Sequence, residues 1–154
     1  MAQGATDGYG PGMKISDVLR TKGTEVATIR PDESVTRLIE VLADRGVGAL
    51  VVSPDGAAVV GIVSERDVVR HLHRSGAAVL HGPVNAIMTS EVTTCSADDS
   101  VESLAQTMTQ QRIRHVPVVA DGRLEAIVSI GDIVKHRIDS LQSERDQLVE
   151  YIQQ

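Results

Sequence analysis

Two four-residue stretches carry the groups that could do chemistry: Ser64-Glu65-Arg66-Asp67 and Ser129-Ile130-Gly131-Asp132. Each follows an apolar run, Gly61-Ile62-Val63 in one case and Ala126-Ile127-Val128 in the other, and each leads into a helical pattern. A serine followed three residues later by an acid is the spacing of a helix capping box, in which each side chain satisfies a backbone N–H of the first turn. The same turn offers a hydroxyl, backbone N–H groups and a carboxylate at a helix N-terminus, an end that favours anions such as phosphate. A carboxylate placed there can also accept from two vicinal hydroxyls, as a ribose presents them, with charge-assisted bonds of about 1.5–3 kcal/mol each. Capping alone explains either turn. A ligand site explains them as well, and both readings stay open on the turns by themselves.

The elements that must position these turns also occur twice. Met13-Lys14-Ile15-Ser16-Asp17-Val18-Leu19 reads as a short helical turn with Ile15, Val18 and Leu19 on one side, and Val84-Asn85-Ala86-Ile87-Met88 echoes it. Extended Val26-Ala27-Thr28-Ile29 precedes an amphipathic helix with Val35, Leu38, Ile39 and Leu42 on one face, and Asp32 is the expected N-cap. The second copy runs Val92-Thr93-Thr94-Cys95, read as a strand, then Val101, Leu104, Ala105 and Met108 at the same spacing; Thr28 and Thr94 stand 66 positions apart, as do Asp32 and Asp98. Val47 to Val52 is a continuous apolar run, expected to be a strand buried on both faces. Pro54-Asp55-Gly56 turns the chain into Val59 to Val63. The second hairpin is Ile113 to Val119, Asp121-Gly122, Leu124 to Val128, one residue shorter, since the offset falls from 66 to 65 after Gly122. The unit is β-α-β-β-α, given twice, in an α/β (α+β) chain. Neither copy holds enough apolar surface for a core of its own, so the two are expected to pack through their sheets and to form clefts where they meet.

Composition narrows the function classes. The 154 residues suffice for one domain built from two halves. A net charge of −6 argues against a nucleic-acid surface, which demands a basic footprint. No apolar run approaches the roughly 20 residues of a membrane span, and the Gly-rich start has no signal-peptide core, so a cytoplasmic protein is expected. The single cysteine, Cys95, excludes an internal disulfide and fits a buried small side chain better than a nucleophile. His71, His73 and His81 are not spaced as a metal site. Phe and Trp are absent and the two tyrosines, Tyr9 and Tyr151, lie near the ends, so a bound purine would rest between aliphatic side chains.

Taken in order, Pro31-Asp32-Glu33-Ser34-Val35, Val47 to Val52, Gly61 to Asp67, Arg112 to Val119 and Ser129 to Asp132 resemble a pair of cystathionine-β-synthase (CBS) domains of the short stand-alone bacterial kind. The resemblance covers about Met13 to Ile138 and implies a tandem repeat with pseudo-two-fold symmetry: leader 1–12, first repeat 13–75, linker 76–82, second repeat 83–138 and a C-terminal amphipathic helix over 139–154. It further implies clefts that bind adenosine ligands such as AMP, ADP, ATP, NAD(H) or S-adenosylmethionine, with no metal. By that likeness Asp67 and Asp132 take the ribose hydroxyls; Ser64, Arg66, Ser129, Arg114 and His115 lie near ribose or phosphate. The base lies against Val26, Thr28 and Val47 in one copy and Val92, Thr94 and Ile113 in the other. The copies differ, however. Arg114-His115 corresponds to Gly48-Ala49, and Arg66 to Gly131, so unequal clefts are expected, with the Asp132 cleft the better nucleotide site.

Beyond the repeats, Val134, Ile138, Leu141, Leu148 and Ile152 alternate at spacings of four and three with Arg145 as the polar exception, an a/d seam that could add to a homodimer or fold back on the chain's own body. No motif assembles a nucleophile, a base and an orienting group, so no enzyme is expected; the CBS pair of inosine-monophosphate dehydrogenase sits on a catalytic barrel for which this chain has no room. The expected function is a regulatory module that senses adenine nucleotides and acts on an unidentified protein. The rival is a dimeric scaffold that binds a protein partner without nucleotide, its Ser-x-x-Asp turns serving as caps only.

Overall fold

The computed structural model describes residues 12–153, so the expected leader lies, apart from Gly12, outside the described residues. The chain forms α1 (Ile15–Lys22), β1 (Thr28–Ile29), α2 (Val35–Arg45), β2 (Ala49–Val52), β3 (Gly61–Ser64) and α3 (Glu65–Ser75). After two 3-10 turns, Ala77–His81 and Val84–Ala86, come α4 (Val101–Gln111), β4 (His115–Ala120), β5 (Arg123–Ser129) and α5 (Ile130–Gln153).

Local chemistry explains most boundaries. The α2 helix starts on Ser34, whose hydroxyl accepts from the Arg37 N–H at 3.0 Å, and stops at Gly46, which takes the left-handed conformation at φ 62°. Asp32 is therefore not the cap. Its carboxylate accepts from Arg30 Nε at 3.2 Å instead, and Ser34 stands one residue before the helix, the position from which a short hydroxyl reaches the third N–H. Ser100 repeats the device at α4, accepting from Ser103 N–H at 3.0 Å. On α2 the buried stripe is Val35, Leu38 and Leu42; Ile39 is 37 % exposed, so the apolar face is narrower than its spacing suggests.

The first copy builds a three-stranded sheet in the order β1-β2-β3, with β1 parallel and β3 antiparallel to β2. All four β2 residues are buried, as expected for its unbroken apolar run. The second copy has only the β4-β5 hairpin. Val92-Thr93-Thr94-Cys95 does not form the strand expected there; Cys95 alone bridges to Val118. Pro117 supplies the reason. It occupies the place of Val51, which pairs with Thr28 in the first copy, and a proline has no N–H to extend the ladder. The β4-β5 turn uses Asp121 and Gly122 at φ 52° and 75°, a two-residue connection with both centres left-handed that matches strand twist. In the longer first-copy loop, Asp55 Oδ1 accepts from Ala57 and Ala58 N–H at 2.9 Å each.

Two buried clusters make the core, and each draws on both copies. Ile15, Val18 and Leu19 of α1 pack with Cys95, Val101, Leu104, Met108, Val116, Val118 and Val128 of the second copy. Val84 and Ile87 pack with Ile29, Val35, Leu38, Leu50, Val52 and Val63 of the first. The leading segments are thus exchanged, and backbone bonds fasten them: Ile15 N–H to Asp99 O and Val101 N–H to Met13 O on one side, Val84 N–H to Glu33 O and Val35 N–H to Gly82 O on the other. Gly61 packs tightly against the second leading segment, since an added Cβ there would lie 2.5 Å from Met88 Sδ.

Candidate functional site

Both Ser-x-x-Asp turns form at the strand-to-helix junctions, β3 into α3 and β5 into α5, with the same local geometry. Ser64 N–H donates to Asp67 Oδ2 at 2.8 Å, the Ser64 hydroxyl donates to the same oxygen at 3.1 Å, and Asp67 N–H donates to Ser64 Oγ at 3.3 Å. Ser129 N–H donates to Asp132 Oδ2 at 2.8 Å, and Asp132 N–H to Ser129 Oγ at 3.1 Å. Each aspartate uses Oδ2 for these bonds, so its Oδ1 remains outside the capping set. Each turn is also tied to the neighbouring strand segment, by Glu65 N–H to Gly48 O at 3.0 Å and Ile130 N–H to Arg114 O at 2.8 Å.

His115 lies between the turns. It stands opposite Ser129 in the β4-β5 register, and its ring carbon Cε1 is 3.6 Å from where a Cβ on Gly48 would be, with Glu65 Oε2 3.7 Å from the same point. Expected near ribose or phosphate, His115 faces first-copy residues as well as Ser129, because the two copies pack across it. Burial pushes its pKa down and the Lys22 charge adds to this, against the opposing pull of Asp132 and Glu65. Arg114 and Arg66 are exposed, Arg66 in the first turn of α3.

The Asp132 cleft contains a residue the repeats did not advertise. Lys22, at the end of α1, donates to Asp132 Oδ2 and to the Ile127 carbonyl, forming a salt bridge with Asp132. Burial raises the Asp132 pKa, but the Lys22 hydrogen bond, the Ser129 backbone N–H and the Lys22 charge outweigh it and hold the carboxyl below its ordinary value. The pair lines a cavity of about 280 Å³ with Val18, Thr21, Lys135, His136 and Asp139. No local signal marks Lys22, since its partner is 110 residues away.

The residues expected to hold the base are less gathered. Val26 and Thr28 line an open depression of about 350 Å³ with Arg37, Val41, Asp44 and Arg45, none of which belongs to a Ser-x-x-Asp turn. Val47 is 38 % exposed, Val92 and Ile113 are half-buried and Thr94 is exposed. Cys95 is buried, and burial together with the Asp99 charge raises its thiol to about 12. Among the described residues no cluster of three His, Cys, Asp or Glu could hold a metal ion, and no helix is long and apolar enough to cross a membrane.

Two mixed units with exchanged leading segments and a capped carboxylate turn in each define a duplicated module with pseudo-two-fold symmetry. A sequence model of the CBS domain matches residues 15–74 and 84–139, and the chain belongs to the CBS-domain family. It is 35 % identical over 147 residues to a mitochondrial CBS domain-containing protein of Arabidopsis thaliana, covering 90 % of this chain and 71 % of that one. A crystal structure of a CBS-domain-containing protein from Agrobacterium tumefaciens superposes with a TM-score of 0.78 at 40 % identity, over 81 % of this chain and 99 % of that one. The fold is also shared, at 23 % identity and a TM-score of 0.71, over 84 % of this chain and 99 % of that one, with the CBS domain pair of protein MJ0100, solved in complex with 5′-methylthioadenosine and S-adenosyl-L-methionine.

Proposed function

We propose that this protein is a non-catalytic regulatory module that binds an adenine nucleotide (AMP, ADP, ATP or NAD(H)) at its Ser-x-x-Asp turns and acts, as a cytoplasmic homodimer, on a protein partner. The observation that carries the reading is the repeated turn: twice, an aspartate at a helix N-terminus is oriented through Oδ2 while Oδ1 is left for a ligand hydroxyl. Serine and helix N–H groups beside it suit a phosphate. That the CBS pair of MJ0100 was solved with two adenosine compounds supports this choice of ligand class. His115, held towards its neutral form, would give and take hydrogen bonds rather than supply a phosphate counter-charge. The cations for phosphate would be Arg66, Arg114 and Lys22.

Calorimetric titration with AMP, ATP, NAD and S-adenosylmethionine tests this, using Asp67→Ala and Asp132→Ala in parallel. Loss of two ribose bonds weakens binding at the altered cleft by about 100-fold or more. A scaffold without nucleotide is favoured by one feature, the exposed apolar stripe of α5. Under that reading the variants lose only a cap, about 0.5–2 kcal/mol of stability, and no nucleotide binds the parent protein at millimolar concentration.

A further inference from the structure

We infer that Lys22 makes the Asp132 cleft selective for nucleosides that carry a 5′ phosphate, holding the carboxylate until a phosphate takes the ammonium in exchange. This rests on the reading of Asp132 as a ribose acceptor. The Lys22 side chain is 30 % exposed and that of Asp132 24 %, so the pair is shielded from water more than the ion pairs elsewhere on this surface. It forms one wall of a cavity that also holds Lys135 and the His136 ring, whose Nε2 is buried without a hydrogen-bond partner among the described residues.

The repeat itself isolates what Lys22 does. Val84, Ile87 and Met88 echo Ile15, Val18 and Leu19 at a spacing of 69, which puts Glu91 where the first segment has Lys22. In the first copy Ile62 exchanges backbone bonds with Thr89, Ile62 N–H to Thr89 O at 3.0 Å and Thr89 N–H to Ile62 O at 2.9 Å. Its counterpart Ile127 faces a segment that stays helical through Lys22, so no extended backbone reaches its carbonyl, and the ammonium donates there instead. The same ammonium extends the bond to Asp132. An acid at position 91 can supply nothing equivalent to Asp67.

A neutral nucleoside that engages Asp132 must separate it from Lys22 and leave a half-shielded ammonium without its carboxylate, the unfavourable way to break such a pair. A nucleotide brings a second anion, and Lys22 transfers to it without losing its charge partner. The part of the discrimination that Lys22 supplies then falls at this cleft and not at the Asp67 cleft.

Titration of adenosine and AMP into Asp67→Ala protein, which leaves the Asp132 cleft, tests the inference. AMP is expected to bind more tightly than adenosine, and adding Lys22→Met should shrink the ratio of the two affinities by about tenfold or more, the loss of one charge-assisted bond. Lys22→Gln, which keeps a donor but drops the charge, carries the same expectation should Met disturb α1; Lys22→Arg should retain the ratio. In Asp132→Ala protein the Lys22 change should leave the ratio at the other cleft as it was. An unaltered ratio in Asp67→Ala protein carrying either uncharged variant, with cooperative melting preserved, overturns the inference and leaves the ribose reading standing. If Asp67→Ala protein binds neither compound at millimolar concentration, the ribose reading of Asp132 fails, and the inference with it.

Discussion

A carboxylate that only caps a helix and one that also receives a sugar make the same hydrogen bonds to the first turn, so Asp67 and Asp132 are separated by their surroundings. Asp132 shares its oxygen with Lys22, and His115 sits beside both turns, with Gly48 and Glu65 on its other side. His115 also makes a prediction about pH. Its folded pKa lies below the ordinary 6.5, burial being the first cause, so the unfolded chain binds the proton more readily. Stability from this group is full above 6.5 and declines as pH falls from there towards the folded value. Urea midpoints measured from pH 7.5 downwards should show this decline in the parent and a shallower one in His115→Gln. Equal slopes in the two proteins would contradict the assignment. At this scale the Ser-x-x-Asp spacing was legible because a cap needs only residues three apart. Lys22 was not, because nothing near it in the chain speaks of Asp132.

Among elements, α1 has the least local reason to be where it is. Its apolar residues, Ile15, Val18 and Leu19, lie in the first copy's sequence, yet they complete the second copy's core. Ile15 is fully buried, so Ile15→Ala should cost about 2–5 kcal/mol. Hydrogen exchange places the damage: amides of β4 and β5 should lose protection before those of β2 and β3, and the reverse order would mean that α1 stabilises its own copy. The helices were readable from 3.6-residue spacing and serine caps, though Ser34 rather than Asp32 proved to be the cap of α2. The strand expected over Val92 to Cys95 was not formed, because Pro117 sits in its would-be partner and cannot donate.

The whole molecule presents a 24-residue α5 that begins as the last helix of the second repeat and continues without a break, burying only Ile133 as a core residue. Val134, Ile138, Leu141, Leu148 and Ile152 are 49–78 % exposed along one stripe, about a quarter turn round the helix from Ile133. In the proposed homodimer, charge would favour an antiparallel arrangement of this stripe. Parallel pairing sets Arg145 against Arg145 in the seam, whereas antiparallel pairing brings the basic start, Lys135 and Arg137, near the acidic end of Glu144, Asp146 and Glu150. Burying Leu141 contributes about 1.5–3 kcal/mol in each copy. Leu141→Asp should therefore convert a sedimenting dimer to monomer with melting otherwise preserved, while a parent that is already monomeric at tens of micromolar would remove the dimer from the proposal.

By itself the sequence determined the duplicated β-α-β-β-α unit, the buried faces of its helices and the two capped carboxylate turns, since each depends on residues within a few positions of one another. Only the tertiary structure decided which copy each leading segment serves, that His115 is shared between the turns, and that Lys22 occupies one carboxylate and leaves the other without a counterpart. Those outcomes depend on pairs up to 110 positions apart. Hydrophobic burial is indifferent to sequence distance, so packing brings such pairs together, and spacing along the chain carries no record of it.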